Sequence, residues 1–411
     1  MKIRFIILAL LSSVMLTANS VFSFDGMPQE YFGYDVYSMG MGNTGIADVF
    51  RINVNYTNPS LLTTANKVTF GTAVKAGYIK YQDSQTSFRD DGLHFPYFTF
   101  AVPINSHKLG FCFNDYSSGN LDVEKSNEVL IDGSNYETTE EYKIESNIYR
   151  ASLLYALKNE YLNVGISVDF YLGHRIKYWE LDFSDGDLND VKYEKELRFK
   201  NAGISVGFNK KWDKIALGLS YRSNSSLYGD HINRFRFVPY ADTLDTNIKD
   251  LYKIPQMISG GLTYKSDVMK YSFDIHYELW DGCDVYQNEQ NSLQAGIGIA
   301  YDPISGYGEW YQRIPVRTGY SYRELPFKKN NSLIREHNFN LGFTLPLKAT
   351  GKKIELALEY VMRGDKSTHG IQDRAVMFSI GVKGFDFFTK RRRKTAPRDI
   401  PEADKDMVDE I

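Results

Sequence analysis

Apolar and polar residues alternate over most of the chain beyond residue 66. The pattern is clear in IELALEY (Ile354–Tyr360), YSFDIHYEL (Tyr271–Leu279) and LNVGISVDFYL (Leu162–Leu172). A period of two predicts a β-strand with one apolar and one polar face. Such segments run about ten residues or more, the length of a tilted membrane crossing, whereas strands of soluble proteins average about five or six residues.

Segments of this kind divide the chain into a regular series of predicted strands. Fourteen can be assigned, at 67–82, 94–104, 108–119, 142–157, 162–182, 195–209, 214–230, 253–266, 269–282, 290–302, 313–325, 335–347, 353–365 and 373–388. Short connections such as Asn105–His107 alternate with longer polar ones. The longer ones are predicted to be loops: Asp83–Gly92, Asn120–Glu141, Phe183–Glu194 and His231–Leu251. Pro303–Gln312 is the exception, a long connection where a short turn is expected.

Short turns on one side and long connections on the other are typical of an outer-membrane barrel. The fold class predicted is therefore all-β, a transmembrane antiparallel β-barrel of about fourteen strands whose ends lie on the periplasmic side. Aromatic residues at strand ends are expected at the membrane interface. They are Tyr264, Trp280, Tyr301, Phe387 and Phe388. A soluble all-β protein would need a second layer over each apolar face, which this chain does not supply.

The first 23 residues are predicted to be a secretory signal peptide. A positively charged start precedes the apolar run Ile6–Leu16, and Val21 and Ser23 fit the small positions of a cleavage site before Phe24. No later apolar run approaches about 18 residues, which excludes a helical membrane protein. Export with only two cysteines also excludes a disulfide scaffold. We therefore expect an exported protein of the outer membrane, with outer-membrane lipids around it.

Composition and charge narrow the function further. Aromatic residues make up 15% of the chain, and the formal net charge is −3, so nucleic acid is not an expected partner. No Ser–His–acid arrangement stands out, and none of the seven histidines has a metal-ligand spacing. We expect no catalytic residues, no metal and no cofactor. A barrel hydrolase is the weakest alternative.

Polar residues recur on the face opposite the apolar one. Because alternate barrel residues face the lumen, a polar row there is expected without a catalytic role. The row comprises Asp169, Asp274, His276, Glu278, Glu355 and Glu359. Cys112 and Cys283 are expected at opposite ends of the barrel, too far apart for a disulfide. Residues 389–411, which begin near the basic run Lys390–Lys394, are predicted to be a charged, disordered periplasmic tail.

The glycine-rich stretch SMGMGNTGIAD (Ser38–Asp48), followed by NPSLL (Asn58–Leu62), resembles the N-terminal signature of the FadL/TodX family of outer-membrane transport proteins. Two later segments are also similar to that family, Ile254–Trp280 and IPVRTGYSY (Ile314–Tyr322). The resemblance implies a fourteen-stranded barrel, residues 67–388, with a lumenal plug, or hatch, formed by residues 24–66. A phosphate-binding loop is disfavoured, because no buried strand precedes the glycines and no lysine follows them.

The resemblance also implies a function and its residues. The expected function is passive uptake of long-chain fatty acids or other hydrophobic small molecules, gated by the plug. The plug and gating residues implied are Gly40, Gly42, Asn43, Gly45, Asp48, Asn58 and Pro59. Asn58 as N-cap and Pro59 as the first helical residue also predict a short helix at Ser60–Leu62. The alternative is a barrel similar to PorV of the type IX secretion system, which would dock secreted proteins.

Overall fold

The computed structural model describes residues 20–23, 29–30, 34–84, 86–184, 188–236, 240–283, 289–303, 309–346 and 352–385. Most of the predicted signal peptide, the predicted tail, Phe387 and Phe388 lie outside these residues. No helix in the described part of the chain is long and apolar enough to span a bilayer.

Antiparallel strands make up nearly all of the regular structure. In chain order they are β1 Gln29–Glu30, β2 Thr69–Asp83, β3 Ser87–His94, β4 Tyr97–Ile104, β5 His107–Ile131, β6 Ser134–Leu157, β7 Asn163–Phe183, β8 Val191–Trp212, β9 Ile215–Arg222, β10 Ser225–Arg236, β11 Thr243–Ile254, β12 Gln256–Lys265, β13 Met269–Leu279, β14 Ser292–Tyr301, β15 Val316–Lys329, β16 Ser332–Pro346, β17 Lys353–Asp365 and β18 Ile371–Phe385. The α-helices are α1 Val36–Met39 and α2 Lys366–His369, and the 3₁₀ helices are Val21–Ser23, Pro59–Thr64 and Trp310–Arg313.

These strands close into a barrel of fourteen wall strands, as predicted. Three wall strands are interrupted, so that β3 and β4, β9 and β10, and β11 and β12 each form one wall strand. Proline lies at two of the interruptions, Pro96 and Pro255, because it has no N–H for the ladder. The barrel closes where β18 pairs with β2, from Ile371 opposite Asp83 to Phe385 opposite Thr69.

The wall has an apolar outer face and a polar inner face. Large apolar side chains point outward in regular alternation, with Leu172 51% and Phe378 43% exposed. The predicted row of inner polar residues, which runs from Asp169 to Glu359, is buried inside the barrel. A soluble protein does not leave such a continuous apolar surface in water. The exterior therefore has the character of a membrane-spanning barrel.

The prediction of long loops on one side was wrong for most of those segments. Asn120–Glu141 is a strand hairpin in which only Asp132 and Gly133 separate β5 from β6. Both turn residues have positive φ, 49° and 86°, as a two-residue hairpin turn requires. Asp83–Gly92 likewise contains most of β3, and His231–Leu251 and Phe183–Glu194 consist partly of strand. These strand segments extend beyond the band of apolar side chains on the outer face, here called the apolar belt. Both of their faces meet water there, so the strands continue although apolar and polar residues no longer alternate in the sequence.

The structure also shows where the aromatic side chains at strand ends point and what the long connection after β14 contains. Trp280 was expected at the membrane interface, but it is fully buried inside the barrel, where its indole N–H donates to Glu278 Oε2 at 3.2 Å. Tyr264 and Tyr301 do face outward, 40% and 37% exposed. The long connection between β14 and β15 contains the 3₁₀ helix Trp310–Arg313, in agreement with the predicted exception.

Candidate functional site: an inner segment and a seam in the wall

Residues 34–66, here called the inner segment, lie against the inner face of the barrel. The segment begins with α1, whose N-cap is Asp35. The Asp35 carboxylate accepts from the Ser38 N–H at 2.9 Å, and the Ser38 hydroxyl oxygen accepts from the Asp35 N–H at 3.2 Å. This reciprocal capping satisfies N–H groups at the start of the helix, which have no acceptor within the helix itself.

Glycines on both sides bring the inner segment into backbone contact with the wall. A Cβ on Gly42, whose φ is +67°, would lie 2.3 Å from Ile297 O. A Cβ on the wall residue Gly319 would lie 2.2 Å from Gly42 N. Other wall glycines meet the segment in the same way: Gly165, Gly207, Gly218, Gly261, Gly296 and Gly298. The predicted Gly40 and Gly42 therefore permit contact that any side chain would prevent.

A buried ion cluster fixes the segment to the wall. Asp48 accepts from Lys270 Nζ of β13 at 2.8 Å and from Arg51 Nε at 2.7 Å. Arg51 also pairs with Asp35, which lies 3.4 Å from Lys383 Nζ of β18. Two wall cations on separate strands thus bind one short segment. Buried charges that are paired in this way are costly to separate.

The charges of this cluster set the pKa of Asp48. Burial acts to raise the pKa of the carboxyl, but the Lys270 ammonium and the Arg51 guanidinium outweigh it and hold the pKa below its ordinary value. Asp35 has a strongly lowered pKa, since Arg51 and Lys383 likewise outweigh the effect of burial. Both carboxylates therefore remain charged at neutral pH.

Tyr37 lies at the centre of the cluster. Its ring is 4.1 Å from Lys270 Nζ, 4.3 Å from the Arg51 guanidinium and 4.2 Å from that of Arg317. Its hydroxyl donates to Asp302 Oδ2 at 3.0 Å. One aromatic ring therefore contacts cations from both the segment and two wall strands.

The glycine-rich turn donates two backbone hydrogen bonds to one acidic side chain of the wall. The backbone N–H groups of Gly45 and Ile46 both donate to Asp274 Oδ2, at 2.6 and 2.8 Å. Adjacent amides that converge on one carboxylate make an anion-binding concavity. The turn therefore holds a side chain of β13 with two consecutive backbone N–H groups.

The end of the inner segment follows the predicted pattern. Asn58 caps the 3₁₀ helix, with its side-chain oxygen accepting from the Ser60 N–H at 3.2 Å and Pro59 at the first helical position. The Asn58 amide also donates to Ile46 O at 2.8 Å and to Phe208 O of β8 at 3.3 Å. One asparagine thus links the helix, the glycine-rich turn and the wall.

All seven predicted plug residues lie in this inner segment and are buried. Asn43, with φ of 57°, donates to Ser321 Oγ at 3.4 Å. Tyr37, Arg51 and Lys270 were not predicted from the sequence to be part of this site. Lys270 could have been found, because it lies on the same inward face of β13 as Asp274.

A second feature is a seam between two wall strands. β4 pairs with β5 throughout, and the last backbone bond on this side runs from the Asp115 N–H to Pro96 O at 3.2 Å. The register of β5 then shifts at Tyr116. Above this point, among the described residues, β3 pairs only with β2, and the facing edge of β5 pairs only with β1 at Ser117 and Ser118. The wall is therefore not hydrogen-bonded shut between β3 and the upper part of β5.

An apolar cluster lines the inner wall beside the seam. It extends from the bulged residue Tyr116 across five further wall strands to Tyr252 and Ile254, and its remaining members are Ile148, Tyr171, Phe199 and Leu227. The rings of Tyr116 and Tyr171 are 5.4 Å apart in an edge-on arrangement. The guanidinium of Arg222 lies 5.2 Å from the Tyr116 ring. A buried apolar cluster rich in aromatic side chains thus begins at the seam and continues along the neighbouring wall strands.

Comparison with solved structures identifies the fold. The toluene transporter TodX of P. putida aligns over 86% of this chain and 99% of its own, with a TM-score of 0.61 and 15% identity. The toluene transporter TbuX of Ralstonia pickettii gives 0.60 and 14% over 86% and 98% of the two chains. A FadL homologue of Pseudomonas aeruginosa gives 0.59 and 12% over 88% and 100%. The barrel is therefore of the FadL/TodX type.

Sequence comparison supplies the family. No curated protein matches the sequence. The BamG family matches it over residues 1–393, which is nearly the whole length. With its barrel, inner segment and seam, the chain belongs to the BamG family.

Proposed function

We propose that this protein is an outer-membrane channel for passive uptake of hydrophobic small molecules, long-chain fatty acids or compounds of similar character, and that they pass sideways through the wall. The observation that carries the proposal is the seam. A wall that is not hydrogen-bonded shut at this position would let an apolar solute pass between the lumen and the lipid without entering water. The structural neighbours TodX and TbuX, described as toluene transporters, have the same fold.

The inner segment acts in this proposal as the plug. Its charged cluster and close backbone contacts lie in the lumen, where buried charges disfavour an axial path for an apolar solute. The apolar cluster from Tyr116 to Tyr252 is buried next to the seam, and its side chains would contact a solute once the seam rearranges. Uptake then needs rearrangement at the seam rather than removal of the whole plug.

Deletion of Tyr116 tests the role of the seam. Removal of the bulged residue brings β5 into continuous register with β6, which we expect to straighten its edge toward β3. Uptake of radiolabelled oleate and of toluene by cells that carry this chain as their outer-membrane channel is expected to fall sharply. The matched control is Tyr116→Phe, which keeps the bulge and the ring. Equal uptake by the deletion and the control, both folded, would overturn lateral passage.

A second candidate function is docking of secreted proteins. The observation that favours it is the β5–β6 hairpin, whose strands continue in register from Asn120 to the turn at Asp132. Within the described chain, the edge of β5 over Leu121–Ile131 has no paired strand, and an exposed edge can accept an extended segment of another protein. Removal of Leu121–Thr138 would abolish capture of secreted cargo from envelopes if docking is the function, and would leave solute uptake unchanged.

A further inference from the structure

Three cations lie side by side on the outer face of the barrel. Arg89 on β3 is opposite Lys80 on β2, and Lys80 is opposite Arg374 on β18. All three side chains are exposed and occupy the outward phase of their strands. Directly opposite residues have Cβ atoms about 4.5–5.5 Å apart. The three residues, called here the cationic row, form one continuous positive strip.

The chain provides little compensation for this charge. Arg89 lies 3.2 Å from the exposed carboxylate of Asp91 and over the Tyr78 ring at 4.2 Å. Within the described residues, Lys80 and Arg374 have no ion pair and no side-chain hydrogen bond. Like charges directly opposite each other in a sheet are destabilising. A structure that keeps three of them together is suited to an anion supplied from outside.

The position of the cationic row indicates what that anion is. The next outward row toward the periplasm contains Tyr78 and Val376 together with Asp91, the partner of Arg89 on β3. Below it come Phe378, Ile380 and Val382, each 43–45% exposed. The row above consists of neutral polar residues, Gln82 and Gln372. The cations therefore lie at the upper boundary of the apolar belt, the level at which lipid headgroups meet a barrel.

We propose that the cationic row binds the phosphate of an outer-leaflet lipid whose acyl chains lie along the apolar residues below it. The two arginines place a planar guanidinium group at each end of the row, and the lysine places an ammonium group between them. This arrangement suits a phosphate-bearing headgroup. The site adjoins the seam, since Arg89 is on β3. The proposal rests on the barrel spanning a membrane and is independent of solute uptake.

Lipid retention by the full chain tests this site. The protein is purified in neutral detergent, titrated with diphosphoryl lipid A or with phosphatidylcholine, and examined by native mass spectrometry. Wild type is expected to retain lipid A in preference to phosphatidylcholine. The variant Arg89→Gln/Lys80→Gln/Arg374→Gln is expected to bind lipid A more weakly, by about fivefold for each neutralised side chain. The control Lys125→Gln, on the part of β5 above the apolar belt, is expected to bind like wild type.

Three outcomes would overturn the proposal: equal lipid A retention by wild type and the triple variant, no preference over phosphatidylcholine, or displacement of lipid A by inorganic phosphate at similar concentration. The last would indicate a free-anion site. Folding is checked by the mobility of unboiled protein in gels. Since neutralisation removes like-charge repulsion, the triple variant is expected to fold. Lys80→Gln alone gives the same test with the smallest change.

Discussion

Asp48 of the inner segment and Lys270 of β13 form an ion pair of 2.8 Å in which both side chains are almost fully buried. The pair joins two parts of the chain that are 222 residues apart. Because a charge inside the barrel has little water around it, each partner depends on the other. The contact between the inner segment and the wall is therefore electrostatic as well as steric.

Loss of Lys270 is expected to loosen the inner segment. Lys270→Met leaves Asp48 with Arg51 as its remaining cation partner, and removal of one partner of a buried pair costs about 3–5 kcal/mol. Hydrogen exchange of residues 44–52, measured by mass spectrometry, should accelerate strongly while wall strands remain protected. Lys265→Met, on a half-buried lysine of β12, is the control. The double variant Lys270→Met/Asp48→Asn should recover part of the protection, and failure to do so would contradict a specific pair.

A pair of adjacent glycines gives a steric test. In Gly261→Ala the new Cβ would lie 2.4 Å from Asp274 Oδ1 and 2.9 Å from Ile46 Cβ, so the turn of the inner segment must move. In Gly260→Ala it would face the outer side, 3.5 Å from the Leu219 side chain, an ordinary contact. We expect Gly261→Ala to expose residues 44–48 to protease and Gly260→Ala to behave like wild type. Identical digestion patterns would count against backbone contact as the basis on which the inner segment binds the wall.

Asp35 and Asp48 make a pH-dependent contribution to the binding of the inner segment, because their pKa values are lowered. A carboxyl whose folded-state pKa is lowered stabilises fully above its ordinary pKa of about 3.9, and the contribution is lost as pH falls through the lowered value. The contribution of these two carboxylates to protection of the inner segment, taken as the difference between wild type and Asp35→Asn/Asp48→Asn and corrected for intrinsic exchange rates, should therefore be constant from about pH 8 to 5 and weaken only below about pH 4. Loss of that difference between about pH 7 and 5 would contradict the lowered pKa values.

Trp280 and Trp212 should report opposite environments. Trp280 is fully buried in the lumen and Trp212 is 49% exposed at the end of β8. In single-tryptophan variants, lipids with brominated acyl chains should quench Trp212 fluorescence and leave Trp280 nearly unchanged. Quenching of Trp280 by such lipids would place it on the outer face, against the observed contact with Glu278.

The sequence alone determined the barrel, because one period-two pattern repeated over fourteen long segments has few other physical solutions. It also indicated the inner polar row and the helix that begins at Asn58 and Pro59, since these depend on local alternation and capping. The strand hairpin Asn120–Glu141 was missed because water on both faces removes the alternation there, although Asp132 and Gly133 carried the signal of a tight turn.

Only the tertiary structure decided how distant parts of the chain meet. Nothing local to Asp48 reveals its pairing with Lys270, and nothing local to Gly45 shows that its amide binds Asp274. The cationic row depends on the register between three strands, two of which lie near opposite ends of the chain. The inward direction of Trp280 is likewise decided by the pairing of β13 with its neighbours. These features arise from barrel closure, which a linear pattern does not contain.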